Sequence, residues 1–203
     1  MSTTIQGPDG RPRCKWCEAT PGYMHYHDTE WGFPVGDDRR LFEKISLEGF
    51  QSGLSWRTIL EKRENFRAAF HGFDFDAVAR FTDADRDRLL ADTGIVRHRG
   101  KIEAVVNNAR RAREMVDREG SLAAFLWRYE PDERRLGAPQ TASTSAESVA
   151  LSKDLKKLGW KFVGPTTMFA LMQAMGLIND HVEGCAIREE VDRARKAFVR
   201  PGR

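Results

Sequence analysis

Apolar residues in this 203-residue chain recur at three- and four-residue intervals almost from end to end. That spacing gathers side chains on one face of a helix, whereas a half-buried strand needs a period of two. No convincing period-2 run and no Asn-Gly turn between alternating segments is present, so the fold class is read as all-α. Leu41, Phe42 and Ile45 follow Asp37 and Asp38, a pair suited to a helix start. Trp56, Ile59, Leu60, Phe66 and Phe70 mark a second helix. Thr82 with Asp85 three residues on resembles a cap, before Leu89, Leu90 and a stop at Gly94. Ile102, Val105, Val106 and Ala109 lie on a long basic helix reaching about Val116. Ser121 opens a short helix carrying Leu122, Phe125 and Leu126. Ser145 or Ser148 opens another that runs to Gly159. An apolar helix spans Thr166 to Met175 before Gly176, and a charged one spans Ile187 to Phe198. Loops are expected over 16–36 and 130–144.

With 40% hydrophobic and 31% charged residues, the chain has material for one core. That balance excludes a disordered, collagen-like or disulfide-scaffold protein. Residues 1–12 are expected to be a disordered tail, and 187–203 a C-terminal helix and tail. No apolar run approaches the ~18 residues of a membrane span, and the polar start has no signal-peptide core. The expectation is therefore a cytoplasmic protein with no membrane partner. Charge is uneven: residues 1–96 carry 13 basic and 16 acidic groups, a net −3, whereas residues 97–161 carry 14 and 9, a net +5. The middle third has the makings of a basic face, although most such runs are solvated helix surfaces.

The three cysteines suit ligands or reduced thiols better than disulfides in a reducing compartment. Cys14 and Cys17 form a C-x2-C pair, and His181 and Cys185 an H-x3-C pair at the other end of the chain. Together they read as a closed, structural zinc site that ties the two ends. His27 competes with Cys17 for the fourth place. The alternative is that all three thiols are small buried hydrophobes.

Five blocks then resemble one family. They are Tyr26-His27-Asp28-Thr29-Glu30-Trp31-Gly32; Leu47-Glu48-Gly49 with Gly53-Leu54-Ser55-Trp56; Arg97-His98-Arg99-Gly100-Lys101; Lys161-Phe162-Val163-Gly164; and Asn179-Asp180-His181-Val182 with Cys185. In order along residues 13–186, they resemble DNA-3-methyladenine glycosylase I of the helix-hairpin-helix superfamily. The resemblance implies an all-α, monomeric glycosylase domain over 13–186. It implies that the domain removes N3-methyladenine from alkylated double-stranded DNA and carries one structural zinc. It assigns the metal to Cys14, His27, His181 and Cys185, and leaves Cys17 as a departure from the family pattern.

The chemistry such an enzyme needs can be matched to residues. A base that is cleaved from its sugar must first leave the stack, and it then needs ring faces and polar groups to receive it. Trp16, Tyr23, Tyr26, Trp31 and Trp56 fall close together in sequence, although each alone has an ordinary reading as core. Glu48 stands among Leu47, Gly49 and Phe50, where a carboxylate is costly unless paired. It either reaches water or serves a ligand, and a cationic methylated base is the ligand it suits. The resemblance places Glu48 against the lesion base, and Tyr26 is expected to hydrogen-bond the base edge, with Trp16 and Trp56 supplying ring faces. The turn from Gly159 to Gly164, with Lys161 and the helix start at Thr166 and Thr167, is a candidate phosphate cradle. Its alternative is a plain helical hairpin. Leu54, after Gly53, is a candidate wedge for the gap left by an extruded nucleotide, or else a core leucine. Asp180 falls where helix-hairpin-helix glycosylases place an Asp that stabilises the sugar cation or orients water, but it adjoins His181, and orienting that ligand is the reading preferred. The block from Arg97 to Lys101 is open between backbone contact and a structural role. A DNA-binding module without a lesion pocket and a zinc-stabilised interaction domain are the competing classes.

Overall fold

The structure is a computed structural model and describes residues 3–202. Strands β1 (Thr4–Gln6) and β2 (Pro12–Cys14) open the chain as an antiparallel hairpin with Thr4 opposite Cys14. A 3-10 turn over Lys15–Ala19 leads into α1 (Pro21–Thr29). Then come α2 (Asp38–Gln51), α3 (Trp56–Glu61), α4 (Arg63–Ala69), α5 (Phe75–Val78) and α6 (Asp83–Ala91). The long α7 (Arg99–Glu119), short α8 (Leu122–Leu126), α9 (Ala146–Lys157), α10 (Pro165–Ala174) and α11 (Arg188–Ala197) complete the chain. Among the described residues, no helix is long and apolar enough to cross a membrane.

Helix starts follow side-chain chemistry. Asp37 accepts from Arg40 N, Ser121 from Ala124 N, and Thr82 with Asp85 forms a reciprocal capping box. Ser145 is the cap of α9, and Ser148 is its partner in a second box. Helix α2 is central: every residue from Leu41 to Phe50 except Glu43 is buried along it, and it packs on α3, α7, α8 and α10. Phe50 near its end meets Phe66 in a tilted contact at 4.6 Å between centroids, and Phe70 stacks on Phe73 at 5.5 Å.

The structure departs from the sequence reading in three places. Residues 4–12, expected as part of a tail, form a strand, its turn and the start of a second strand. Residues 1, 2 and 203 of the expected tails lie outside the described residues. The segment 16–36, expected as loop, contains α1, which Thr20 caps and Pro21 starts. The helix expected across Trp56–Phe70 breaks at Lys62, whose ψ of 2° leaves the helical range. The segment 130–144 is a loop, as expected, with one 3-10 turn at Glu133–Arg135.

Helix α10 stops at Gly176, whose φ is +80°; a Cβ there would meet the Pro34 backbone at 2.5 Å. That close approach lets Gly32 N and Val35 N donate to Ala174 O and Met175 O. The end of α1 is thereby held against the segment that carries His181.

Candidate functional site

Two adjacent constellations are built on α1. In the first, β2 ends on Cys14, the last turn of α1 carries His27, and the segment after Gly176 supplies His181 and Cys185. All four are buried, and their ligand atoms lie within 4.8 Å of one another. His181 Nδ1 is 3.1 Å from His27 Nε2, 3.7 Å from Cys14 Sγ and 3.6 Å from Cys185 Sγ, and Cys185 Sγ is 3.6 Å from His27 Nε2. A tetrahedral zinc with ordinary Zn–N and Zn–S bonds spaces its ligand atoms roughly 3.3–3.8 Å apart, so the donors and their spacing fit. The remaining ring nitrogens are oriented from outside: His27 Nδ1 lies 2.6 Å from Asp28 Oδ1, and His181 Nε2 3.0 Å from Trp31 O. Val182 N and the Gln140 amide each donate to Cys14 Sγ at 3.4 Å. Val182, Ile187 and Val191 close the cluster from water. Cys17 is buried but stands outside the four; burial pushes its thiol up to about 12, so it keeps its proton.

Asp180 does not take the place that sequence gave it. Its carboxylate accepts from Gln140 N at 3.0 Å and from the Gln173 amide at 2.6 Å, not from His181. Orienting a ligand histidine falls to Asp28, which Arg13 in turn holds by an ion pair.

The second constellation is a cleft of about 130 Å³ between α1, α2, α3 and α10. Its walls bring together all five aromatics singled out above with Glu48, Gln51, Ala170 and Gln173. Trp16 meets Tyr23 and Trp31 edge-on at 4.9 and 5.0 Å, and Tyr26 lies 5.5 Å from Trp56. Trp16 and Trp31 also flank His27, so the cleft and the four-residue cluster share a wall.

Glu48 is buried, and its partner is a residue the sequence reading missed. Lys44, one helical turn earlier, places Nζ 3.0 Å from Glu48 Oε1 and donates to Tyr26 Oη at 2.8 Å. The same ammonium lies 3.2 Å from the Trp56 ring centroid. Burial lowers Lys44 to about 8, against the pull of Glu48. Burial and the Glu48 charge raise both Tyr23 and Tyr26, so both phenols keep their protons at neutral pH. Among the described residues the Tyr26 hydroxyl has no acceptor of its own, and the buried Trp56 indole N–H has no partner.

The cleft continues into a groove of about 290 Å³ past Glu48, Gln51 and Ala170 to Ser52, Gly53, Leu54, Thr166 and Thr167. Leu54 is 43% exposed at the edge of this groove, which removes its reading as core. The turn after α9 is pinned by α7: Asn108 bonds both N and O of Lys161, and Asn107 donates to Gly159 O. The Lys161 side chain is exposed. Gly164 has φ −64°, and a Cβ there would meet nothing nearer than Thr167 Oγ1 at 3.9 Å. No contact within the protein therefore demands glycine at that position. In the 97–101 block, His98 caps α7, and Lys101 donates to Phe50 O and Ser52 O, which holds the end of α2.

Comparison with known proteins identifies this arrangement. The methyladenine glycosylase family model matches residues 16–189. The chain belongs to that family. It is 48% identical to DNA-3-methyladenine glycosylase 1 of Escherichia coli (strain K12), over 85% of this chain and 95% of that protein. It is 44% identical to the DNA-3-methyladenine glycosylase of Haemophilus influenzae, over 85% and 96%. A crystal structure of 3-methyladenine DNA glycosylase I superposes with a TM-score of 0.81 at 47% identity, covering 86% of this chain and 98% of the other. The Staphylococcus aureus enzyme, solved for the basis of its 3-methyladenine recognition, gives 0.82 at 38%, over 87% and 96%. The protein is thus a glycosylase, a hydrolase of N-glycosyl bonds.

The residues that sequence reasoning missed had faint signals. Lys44 and Glu48 are four apart on a helix whose Leu41, Ile45 and Leu47 are buried, which puts a cation on an apolar face beside the acid. Gln51 and Gln173 carry no charge or spacing that marks them.

Proposed function

We propose that this glycosylase excises N3-methyladenine from alkylated double-stranded DNA, acting as a monomer. The target nucleotide swings out of the stack into the aromatic cleft, and Leu54 fills the space it leaves. Methylation at N3 gives the base a positive charge. Glu48 faces that charge, Tyr26 donates to the base edge, and Trp16, Tyr23, Trp31 and Trp56 supply ring faces. The bond between sugar and base breaks with its electron pair passing to the base, which leaves neutral. Water then attacks the sugar cation and gives up a proton. The products are free base and an abasic site, with no covalent enzyme intermediate.

The groove at Leu54 takes the duplex. The α9–α10 turn acts as a helix-hairpin-helix: Gly164 lets a phosphate close to the backbone, N–H groups at Thr166 and Thr167 receive it, and Lys161 adds charge. A zinc ion held by Cys14, His27, His181 and Cys185 supplies no reaction chemistry, because four protein ligands leave it no open position.

The observation that carries this reading is a buried carboxylate at the floor of an aromatic cleft that opens into the Leu54 groove. The test is incubation with alkylated duplex DNA and chromatography of released bases. Free 3-methyladenine is expected, with far less 7-methylguanine and no adenine. Equal release of all methylated purines overturns the edge-reading cleft, and no release overturns the activity.

A further inference from the structure

The Lys44–Glu48 pair is an odd feature for a site that receives a cation. A carboxylate alone would attract the charged lesion, yet this chain places an ammonium 3.0 Å from that carboxylate and 3.2 Å from the centre of a ring that walls the cleft. Removing a lysine from water is costly, and with Leu47 and Ile45 apolar beside it, the charge that Lys44 answers is Glu48. Other charges near Lys44 are already matched. Glu30 pairs with Arg63 at 2.6 Å and Glu43 with Arg67 at 2.8 Å, while Arg40 stands at the exposed rim. Lys44 and Glu48 are the pair left beside the base.

Resting on the glycosylase reading above, we propose that Lys44 is a positioning residue that balances Glu48 electrostatically and so speeds departure of the base. The base is cationic before the bond breaks and neutral afterwards. A lone carboxylate stabilises the charged ground state more than the transition state, in which that charge is draining away, so it tightens binding and slows cleavage. An ammonium beside it reverses part of that difference, because it disfavours the cation and favours the base that has taken the electron pair. Its hydrogen bond to Tyr26 Oη also turns the phenol so that its own proton points elsewhere, free for the base edge. Lys44 thereby trades affinity for rate.

The trade gives a signature that a merely structural lysine does not. Single-turnover excision from alkylated duplex DNA, followed across enzyme concentration, separates the half-saturating concentration from the rate of the chemical step. Lys44→Met, close in volume and uncharged, is expected to lower both several-fold, whereas Lys44→Arg keeps the wild-type balance. The wild-type protein offers the same test without substitution. Since burial brings Lys44 to about 8, the chemical rate falls as pH rises through that value while binding tightens, and Lys44→Met lacks this limb. A Lys44→Met protein with an unchanged rate, or with a slower rate and unchanged or weaker binding, overturns the inference. So does a wild-type profile flat across pH 8. Absence of base release from the wild-type protein overturns the glycosylase reading instead.

Discussion

The metal cluster and the base cleft share α1, Trp16 and Trp31, yet they are finished differently. In the cluster every ring nitrogen and sulfur faces another member of the set or an outer partner, and Val182, Ile187 and Val191 exclude water. In the cleft, among the described residues, the Trp56 N–H is left without a partner and the Tyr26 hydroxyl without an acceptor, and a desolvated ion pair lies at the floor. Buried polar groups are normally satisfied, so a donor left open on a cleft wall is one that a ligand can complete. The closed cluster has the finish that an ion site needs, and the open cleft has the finish that the proposed base site needs.

The largest expected effect tests the closed half. His181→Ala or Cys185→Ser is expected to lose the metal, and with it roughly 4 kcal/mol or more of stability, because three ligands and their neighbours stay buried without a centre. His27→Ala is expected to lose the metal too, whereas Cys17→Ser keeps one equivalent and melts close to wild type. Elemental analysis beside thermal melts decides this. If His27→Ala retains metal and the His27→Ala, Cys17→Ser double variant does not, Cys17 swings in as a substitute ligand.

Glu48→Gln tests the open half. Shape is kept and charge removed, so a cationic lesion is expected to bind less well by about 1–3 kcal/mol. Some melting temperature is lost because Lys44 stays buried without its counter-ion, but the fold survives, since Lys44 keeps its bond to Tyr26. Binding measured by concentration dependence of excision, set beside a melting curve, gives the check. A collapse in melting temperature with unchanged binding would put Glu48 on the cluster's side of the comparison, as a structural acid.

The two regions were also unequally legible from sequence. Caps at Asp37, Thr82 and Ser121 were readable because local hydrogen bonds follow from residue type and spacing. Glu48 stood out because a carboxylate among apolar neighbours needs a reason. Helix α1 did not, since its buried residues include Tyr26 and His27, which point at a cleft and a metal cluster and blur the apolar stripe; Thr20-Pro21 was the usable signal. The β1–β2 hairpin has three-residue strands, too short to show a period. Lys44 was hidden because lysine on a helix ordinarily reaches water, and Asp180 misled because adjacency to His181 in sequence did not become contact in space.

The smallest effect on stability is expected where the open region meets the groove. Leu54 is largely exposed, follows Gly53 at φ +79°, and donates from its N to Gln51 O in a tight turn beyond α2. A buried leucine cut to alanine costs about 2–5 kcal/mol, whereas an exposed one away from special geometry shifts stability by no more than about 0.5 kcal/mol. Leu54→Ala should therefore melt with the wild type. Its effect should fall instead on the duplex: a wedge matters only when a stacked nucleotide must be displaced and its gap filled. Excision from double-stranded alkylated DNA is expected to drop several-fold, with excision from the single strand unchanged. Equal losses on both substrates would make Leu54 a contact for the base or backbone rather than a wedge. A melting loss of core size would mean that the leucine packs inward in solution, and the boundary between closed and open regions would then lie beyond Gly53.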